Sequence, residues 1–182
     1  MKKILFIIGS MRKKSFNRQL ANEVEKIIAE RAEIKYLEYS DLPFMNQDIE
    51  FPTPATVARV RKDIQDSDAI WIFTPEYNYN IPGVLKNLLD WMSRPLIAND
   101  WNSGTAIKGK LVTISGVGGK NCTQNVREHL YNLLNAMQTN IIEEKGTGLA
   151  VSGEAFATDE ANFSESDIEK ITKQVEAFLS KI

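Results

Sequence analysis

Two pentapeptides, Ile4-Leu-Phe-Ile-Ile8 and Ala69-Ile-Trp-Ile-Phe73, are apolar at every position. A strand with one wet face alternates apolar and polar residues. A run that is apolar throughout belongs in the middle of a parallel sheet covered on both faces. Helical stripes separate such runs: Leu20, Ala21, Val24, Ile27 and Ile28 recur at helical spacing, and so do Val57, Val60 and Ile64. Val84, Leu85, Leu88, Leu89 and Met92 follow a favourable helix start at Pro82, and Pro95 stops that helix. Later stripes run from Val126 to Met137 and from Ile168 to Leu179. Ile34–Tyr39 has a strand's composition but carries charge, which places it nearer an edge. Leu111–Ser115 reads as a fourth strand and Thr139–Ile142 as a short last one. A loop containing Gly146, Gly148 and Gly153 leads to the final helix. The alternation predicts one α/β domain over residues 1–182, a doubly wound five-stranded parallel sheet of order 2-1-3-4-5 with helices on both faces.

In that order the ligand crevice lies at the carboxyl ends of strands one and three. The first strand runs through Gly9 into Ser10-Met-Arg-Lys-Lys-Ser-Phe-Asn17 and then into a helix. Helix N-termini present unpaired N–H groups and a positive dipole end, so this is a phosphate cup. Ser10 and Ser15 offer hydroxyls, Arg12 a planar fork of donors, and Asn17 an amide. Charge agrees: the chain is formally -2, yet residues 1–22 carry six basic groups and no carboxylate. Lys13 and Lys14 read as solvated surface charges.

Two more loops converge there. Pro75-Glu-Tyr-Asn-Tyr-Asn-Ile-Pro82 is stiffened by its prolines, and Gly116-Val-Gly-Gly119 lets main chain approach a ligand closely. A flat heteroaromatic ring attached to the phosphate would lie between them.

Gly9–Ala21, Pro75–Asn87 with Asp90-Trp91, and Ser115–Gly119 together resemble the three motifs of the NADPH-dependent FMN reductase family, in order and at the expected spacings over roughly residues 3–135. The first two are specific as a pair; the third alone is weak. The resemblance implies a flavodoxin-like fold holding FMN non-covalently. By it, Ser10, Arg12, Ser15 and Asn17 bind the phosphate. Pro75, Glu76, Tyr77 and Asn78 line the isoalloxazine, largely through backbone, and Ser115, Gly116, Gly118 and Gly119 pass along its other side. The family includes flavin, quinone, azo-dye and chromate reductases, many of them dimers or dimers of dimers. The activity implied is a two-step transfer of electrons from NADPH or NADH to a small acceptor at one shared site, and Tyr79 would narrow that site. No catalytic side chain is required, because the cofactor carries the chemistry.

Plainer roles suit the other residues. Glu76 is expected to structure its loop. Tyr77 and Tyr79 either pack the loop or form a subunit contact. Lys86 and Asp90 are spaced for a surface ion pair. His129, beside an apolar stripe, is expected to be a satisfied structural histidine, and Cys122 a partly buried thiol. One cysteine excludes a disulfide framework and fits a reducing compartment, and Ile4–Ile8 is too short for a membrane span or signal core, so a cytoplasmic protein is expected. No metal-ligand spacing occurs, and nothing suggests nucleic acid or a membrane as partner. The alternative activity is a non-enzymatic flavodoxin-like electron carrier, although Arg12 in the cup and the mild net charge do not suit one. A phospho-acceptor receiver is excluded because Gly9-Ser10 and Thr74-Pro75 stand where it needs acidic residues.

Overall fold

A computed structural model describes residues 1–182. In chain order the elements are β1 (Lys3–Ile8), α1 (Phe16–Ile28), β2 (Glu33–Tyr36), α2 (Ala55–Gln65), β3 (Ala69–Phe73), α3 (Gly83–Met92), β4 (Leu111–Gly118), α4 (Gln124–Ala136), β5 (Asn140–Ile141), β6 (Thr147–Ala150), α5 (Gly153–Thr158) and α6 (Glu165–Leu179). The sheet is parallel throughout, in the order β2-β1-β3-β4-β5, with β6 also paired to β4. This is the flavodoxin-like arrangement.

The uniformly apolar strands divide their side chains between two cores, because successive residues of a strand point to opposite faces. Leu5, Ile7, Ile70, Ile72, Val112 and Ile114 pack under α2, α3 and α4. Ile4, Phe6, Ile8, Trp71, Phe73 and Val117 pack under α1 and α6. Each fully buried large side chain contributes about 1.5–3 kcal/mol relative to exposure. On the α6 side Trp71 stacks on Phe73 with centroids 5.5 Å apart, and Phe178 meets Trp71 edge-on at 5.0 Å.

The fifth sheet position differs from the expectation. It holds two short strands instead of one: β5 pairs with Leu111 and Val112, while β6 pairs with Ser115 to Gly118. The segment read as a glycine loop therefore contains a strand and a short helix. Thr147-Gly-Leu-Ala150 has no apolar run to announce it; the extended edge of β4 supplies its pairing. Gly146 turns the chain between the halves at φ 52°, so close to β4 that a Cβ would run into the Ile114 carbonyl group. His129 also departs from expectation: it lies on the exposed outer face of α4, just off the apolar stripe. Lys86 and Asp90 do pair, at 2.6 Å, and Cys122 is half-buried.

Candidate active site

The register aligns Ile8, Phe73 and Ser115 side by side, so the loops leaving β1, β3 and β4 start together at one end of the sheet. Gly9 N–H donates to the Phe73 carbonyl at 2.7 Å and Thr74 N–H to that of Ser115 at 2.9 Å. A Cβ at Gly9 would lie 3.0 Å from Thr74 Oγ1 and 3.1 Å from Leu85 Cδ2, which explains the glycine.

Ser10, Ser15 and Asn17 are all buried in the first loop. Ser15 occupies the N-cap position of α1, yet its hydroxyl makes no capping bond. The backbone N–H groups of Phe16 and Asn17 also lack a protein acceptor. Ser10 Oγ accepts from Arg12 N–H at 3.3 Å, which leaves its own proton to donate. Arg12 lies over the Phe16 ring, 4.7 Å from its centroid, and its Nη1 donates to the Asp159 carboxylate. The loop thus collects unoccupied donors around a guanidinium that already holds an oxyanion from the chain itself. That donor set matches a phosphate group. A cleft of about 430 Å³ opens beside it, lined by Ser10, Arg12, Arg18 and Tyr39 among others.

Asn17 does something else as well. Its Nδ2 donates to Val117 O at 3.1 Å, and its Oδ1 accepts from Val117 N–H at 2.9 Å. The side chain is a clamp between α1 and β4, with one N–H left over for a ligand.

In the second loop Tyr77 and Asn80 exchange both backbone hydrogen bonds, at 3.2 and 3.0 Å. The two residues between them, Asn78 and Tyr79, have φ of 51° and 63°. This tight turn pushes Tyr79 outward, where it is 73% exposed, and Tyr77 is exposed too. The positive φ is unusual for a tyrosine.

Glu76 points the other way, onto the start of α4. Its Oε2 accepts from Val126 N–H at 3.0 Å; its Oε1 accepts from Asn125 Nδ2 at 3.1 Å and from Asn121 Nδ2. Thr123, at the N-cap position of α4, makes no capping bond, so Glu76 caps the helix from another loop. Burial pushes the Glu76 carboxyl up, but the bonds from Val126, Asn125 and Asn121 outweigh it and hold the group below the ordinary carboxylate range.

The third loop carries its glycines for a reason internal to the fold. A Cβ at Gly116 would land on Thr123 Oγ1 and lie 2.8 Å from the Thr74 carbonyl; one at Gly118 would lie 2.9 Å from Thr123 Cγ2. Buried Thr123 fills that space, and only Gly119 faces open room. Glu76, Asn78, Tyr79, Gly118, Gly119 and Asn121 bound a second cleft of about 430 Å³ between the two loops. Ser115, expected at the cofactor, is instead in the core: its Oγ accepts from Trp71 Nε1 at 3.0 Å and donates to Gln174 Oε1 at 2.8 Å, on the α6 face of the sheet. The strand's alternation turns its side chain away from the cleft.

Nothing in the sequence pattern singles out Thr123, Asn121, Asn125 or Asp159, which the fold brings to these loops. Asp159 lies 147 residues from Arg12, and no local pattern links them.

Residues 2–151 match the family model for NADPH-dependent FMN reductase. A quinone reductase of Pseudomonas putida is 38% identical over 128 residues, which span 70% of this chain and 68% of that protein. A quinone reductase of Escherichia coli is 34% identical over 146 residues, 79% of this chain and 76% of the relative. Among solved structures, FerB, a flavoenzyme NAD(P)H:(acceptor) oxidoreductase from Paracoccus denitrificans, superposes with a TM-score of 0.85 at 30% identity, covering 99% of this chain and 96% of that one.

Glu76→Gln tests the capping role. A carboxylate lowered in the folded state contributes stability that is complete above the ordinary carboxylate range and fades as pH falls through the lowered value. The variant should unfold at lower temperature than the parent at neutral pH, and the gap should close as the pH drops into the acid range. Melting curves recorded across that range check this; a gap that persists undiminished at low pH contradicts it.

Proposed function

The chain belongs to the NADPH-dependent FMN reductase family, and we propose that its cleft holds FMN by the phosphate in the first loop and by the ring between the second and third. It is an oxidoreductase that uses NAD(P)H and FMN. The acceptor we favour is a quinone or a similarly flat small molecule, the class named for the quinone reductases of P. putida and E. coli. The observation that carries the reading is the first loop: the free Ser15 hydroxyl, two free N-terminal amides of α1, and Arg12 already engaged by an anion.

Ser10, Arg12 and Ser15 would hold the phosphate, joined by the amides of Phe16 and Asn17 and the remaining Asn17 N–H. Pro75, Glu76, Tyr77 and Asn78 would line the ring through their backbone, opposite Gly118 and Gly119; Gly116, expected there too, is buried under Thr123. When bound, FMN supplies the electron-carrying chemistry, so no side chain has to break a bond. Glu76 is not available as an acid, because both carboxylate oxygens are already occupied. The work of the protein is to position two flat partners and to shield them from water. Exposed Tyr79 stands at the mouth and would limit what can stack there. Nicotinamide and acceptor then use the one mouth in turn.

We assign all 182 residues to a single flavodoxin-like FMN-binding domain, working in the cytoplasm as a homodimer or a dimer of dimers. Cytoplasmic placement rests on the lone, half-buried Cys122 and on the need for NAD(P)H. No helix is long and apolar enough to cross a membrane. The oligomer rests on exposed apolar residues around α3: Phe44 at 88%, Trp101 at 65%, Val84, Tyr77 and Tyr79. The Phe44 loop lies against α3, because Pro43 O accepts from Asn87 Nδ2 at 3.0 Å and from Trp91 Nε1 at 2.8 Å.

Three measurements test these readings. Arg12→Ala combined with Ser15→Ala should weaken FMN binding by about a hundredfold or more, since charged and buried hydrogen bonds to the phosphate are lost, with riboflavin binding little changed. Flavin fluorescence titration reads this, and an unaltered FMN affinity rejects the site. Initial rates with NADPH and a quinone both varied should give parallel double-reciprocal lines; intersecting lines reject the shared mouth. Phe44→Glu should reduce the sedimenting mass to that of one chain, whereas an unchanged assembly places the subunit contact elsewhere.

A further inference from the structure

Asp159 is the anion that Arg12 already holds, and its place is built with some care. It closes α5 in the left-handed conformation, φ 63°, with its own N–H donating to Ala155 O at 2.8 Å. Gln19 of α1 grips the backbone on both sides: its Nε2 donates to Asp159 O at 2.8 Å, and its Oε1 accepts from Ala161 N–H at 2.8 Å. Phe156 of α5 meets Phe16 edge-on at 5.3 Å. The helix that opens with the phosphate loop therefore also fixes the segment carrying this carboxylate. One carboxylate oxygen takes Arg12 Nη1, and Lys14 Nζ comes within 3.9 Å of the other.

We propose that Asp159 is a resident competitor for the cofactor's phosphate, a carboxylate that occupies Arg12 in the free protein and so sets how readily FMN loads and leaves. The proposal rests on the assignment of the first loop to the FMN phosphate. A phosphate monoester carries close to two negative charges and three acceptor oxygens, against one charge and two oxygens for a carboxylate. The Arg12–Asp159 pair is also well exposed, at 43% and 38%, and such pairs are weak. Phosphate can therefore displace the carboxylate from the guanidinium. The displaced group cannot go far, because Gln19 retains its backbone. Its charge stays beside the loop and opposes the dianion that replaced it. Asp159 thus lowers phosphate affinity in both states: as a rival before binding, and as a like charge after it. The flavin becomes an exchangeable ligand instead of a permanently held one.

The test uses the full chain stripped of flavin and titrated with FMN and, separately, with riboflavin, following flavin fluorescence. Asp159→Asn and Asp159→Gly both suit a positive φ, so the backbone is preserved. Each should bind FMN about three- to tenfold more tightly than the parent, with riboflavin affinity unchanged. Glu154→Gln removes the same charge from α5 without touching Arg12 and should leave both affinities at parental values. FMN affinity that is unchanged or weaker in the Asp159 variants overturns the proposal and makes Asp159 an orienting partner of Arg12. An equal gain for riboflavin, or the same gain from Glu154→Gln, overturns it as well, since the effect would then not run through the phosphate. A parent protein that binds riboflavin as tightly as FMN removes the phosphate site itself, and this proposal with it.

Discussion

The cleft depends on one pairing, between the Asn17 side chain and the Val117 backbone. β3 ends at Phe73, opposite Ser115, but β4 continues to Gly118. The Ser115 carbonyl points toward β3, where it accepts from Thr74 N–H, and two residues on the Val117 peptide groups point the same way, toward a strand that has stopped. Left alone, those buried groups would each cost about 1–3 kcal/mol. The Asn17 amide, one donor and one acceptor on a single rigid plane, stands in for the missing strand. In doing so it fixes the start of α1 against the end of β4, and hence the first loop against the third.

Around that clamp, the residues of the three loops divide by what they already touch. Glu76 caps α4, Thr123 fills the hollow over Gly116 and Gly118, and Ser115 joins Trp71 and Gln174 in the core. These hold the walls apart at a set distance. Ser15 and the first amides of α1 remain free of internal partners, and Arg12, engaged only by a weak exposed pair, lines the cleft beside the first loop. A binding site for a large, flat, anionic molecule needs this division. In the reading proposed above, the rigid groups define the slot for the ring and the unoccupied donors of the first loop take the phosphate.

Much of the architecture was legible in the residue pattern, and particular residues show why. Ala69–Phe73 reads as a doubly covered strand, because five successive apolar side chains in a β-rich run need cover on both faces, and the structure buries all five. The stripe from Leu20 to Ile28 could only be a helix lying on that sheet. Thr147–Ala150 was not legible as a strand, because its two short polar or glycine positions carry no apolar signal and its pairing depends on where β4 runs. His129 sits one step outside the buried stripe of α4, a rotation that periodicity does not resolve. The glycines of the third loop were expected on grounds of ligand approach, yet at 116 and 118 it is Thr123 that requires them.

The chain alone determined the order of the first four strands, the loop order and the kinds of group gathered at the carboxyl end of the sheet. Those follow from periodicity and from the strong local preferences of helix starts, prolines and glycines. Only the tertiary structure decided which of these groups remain free. Asn17 and Val117 are 100 residues apart, Glu76 and Val126 are 50, and Arg12 and Asp159 are 147. Hydrogen-bonding capacity is a property of a residue, but whether it is already satisfied depends on neighbours that only folding brings within about 3 Å.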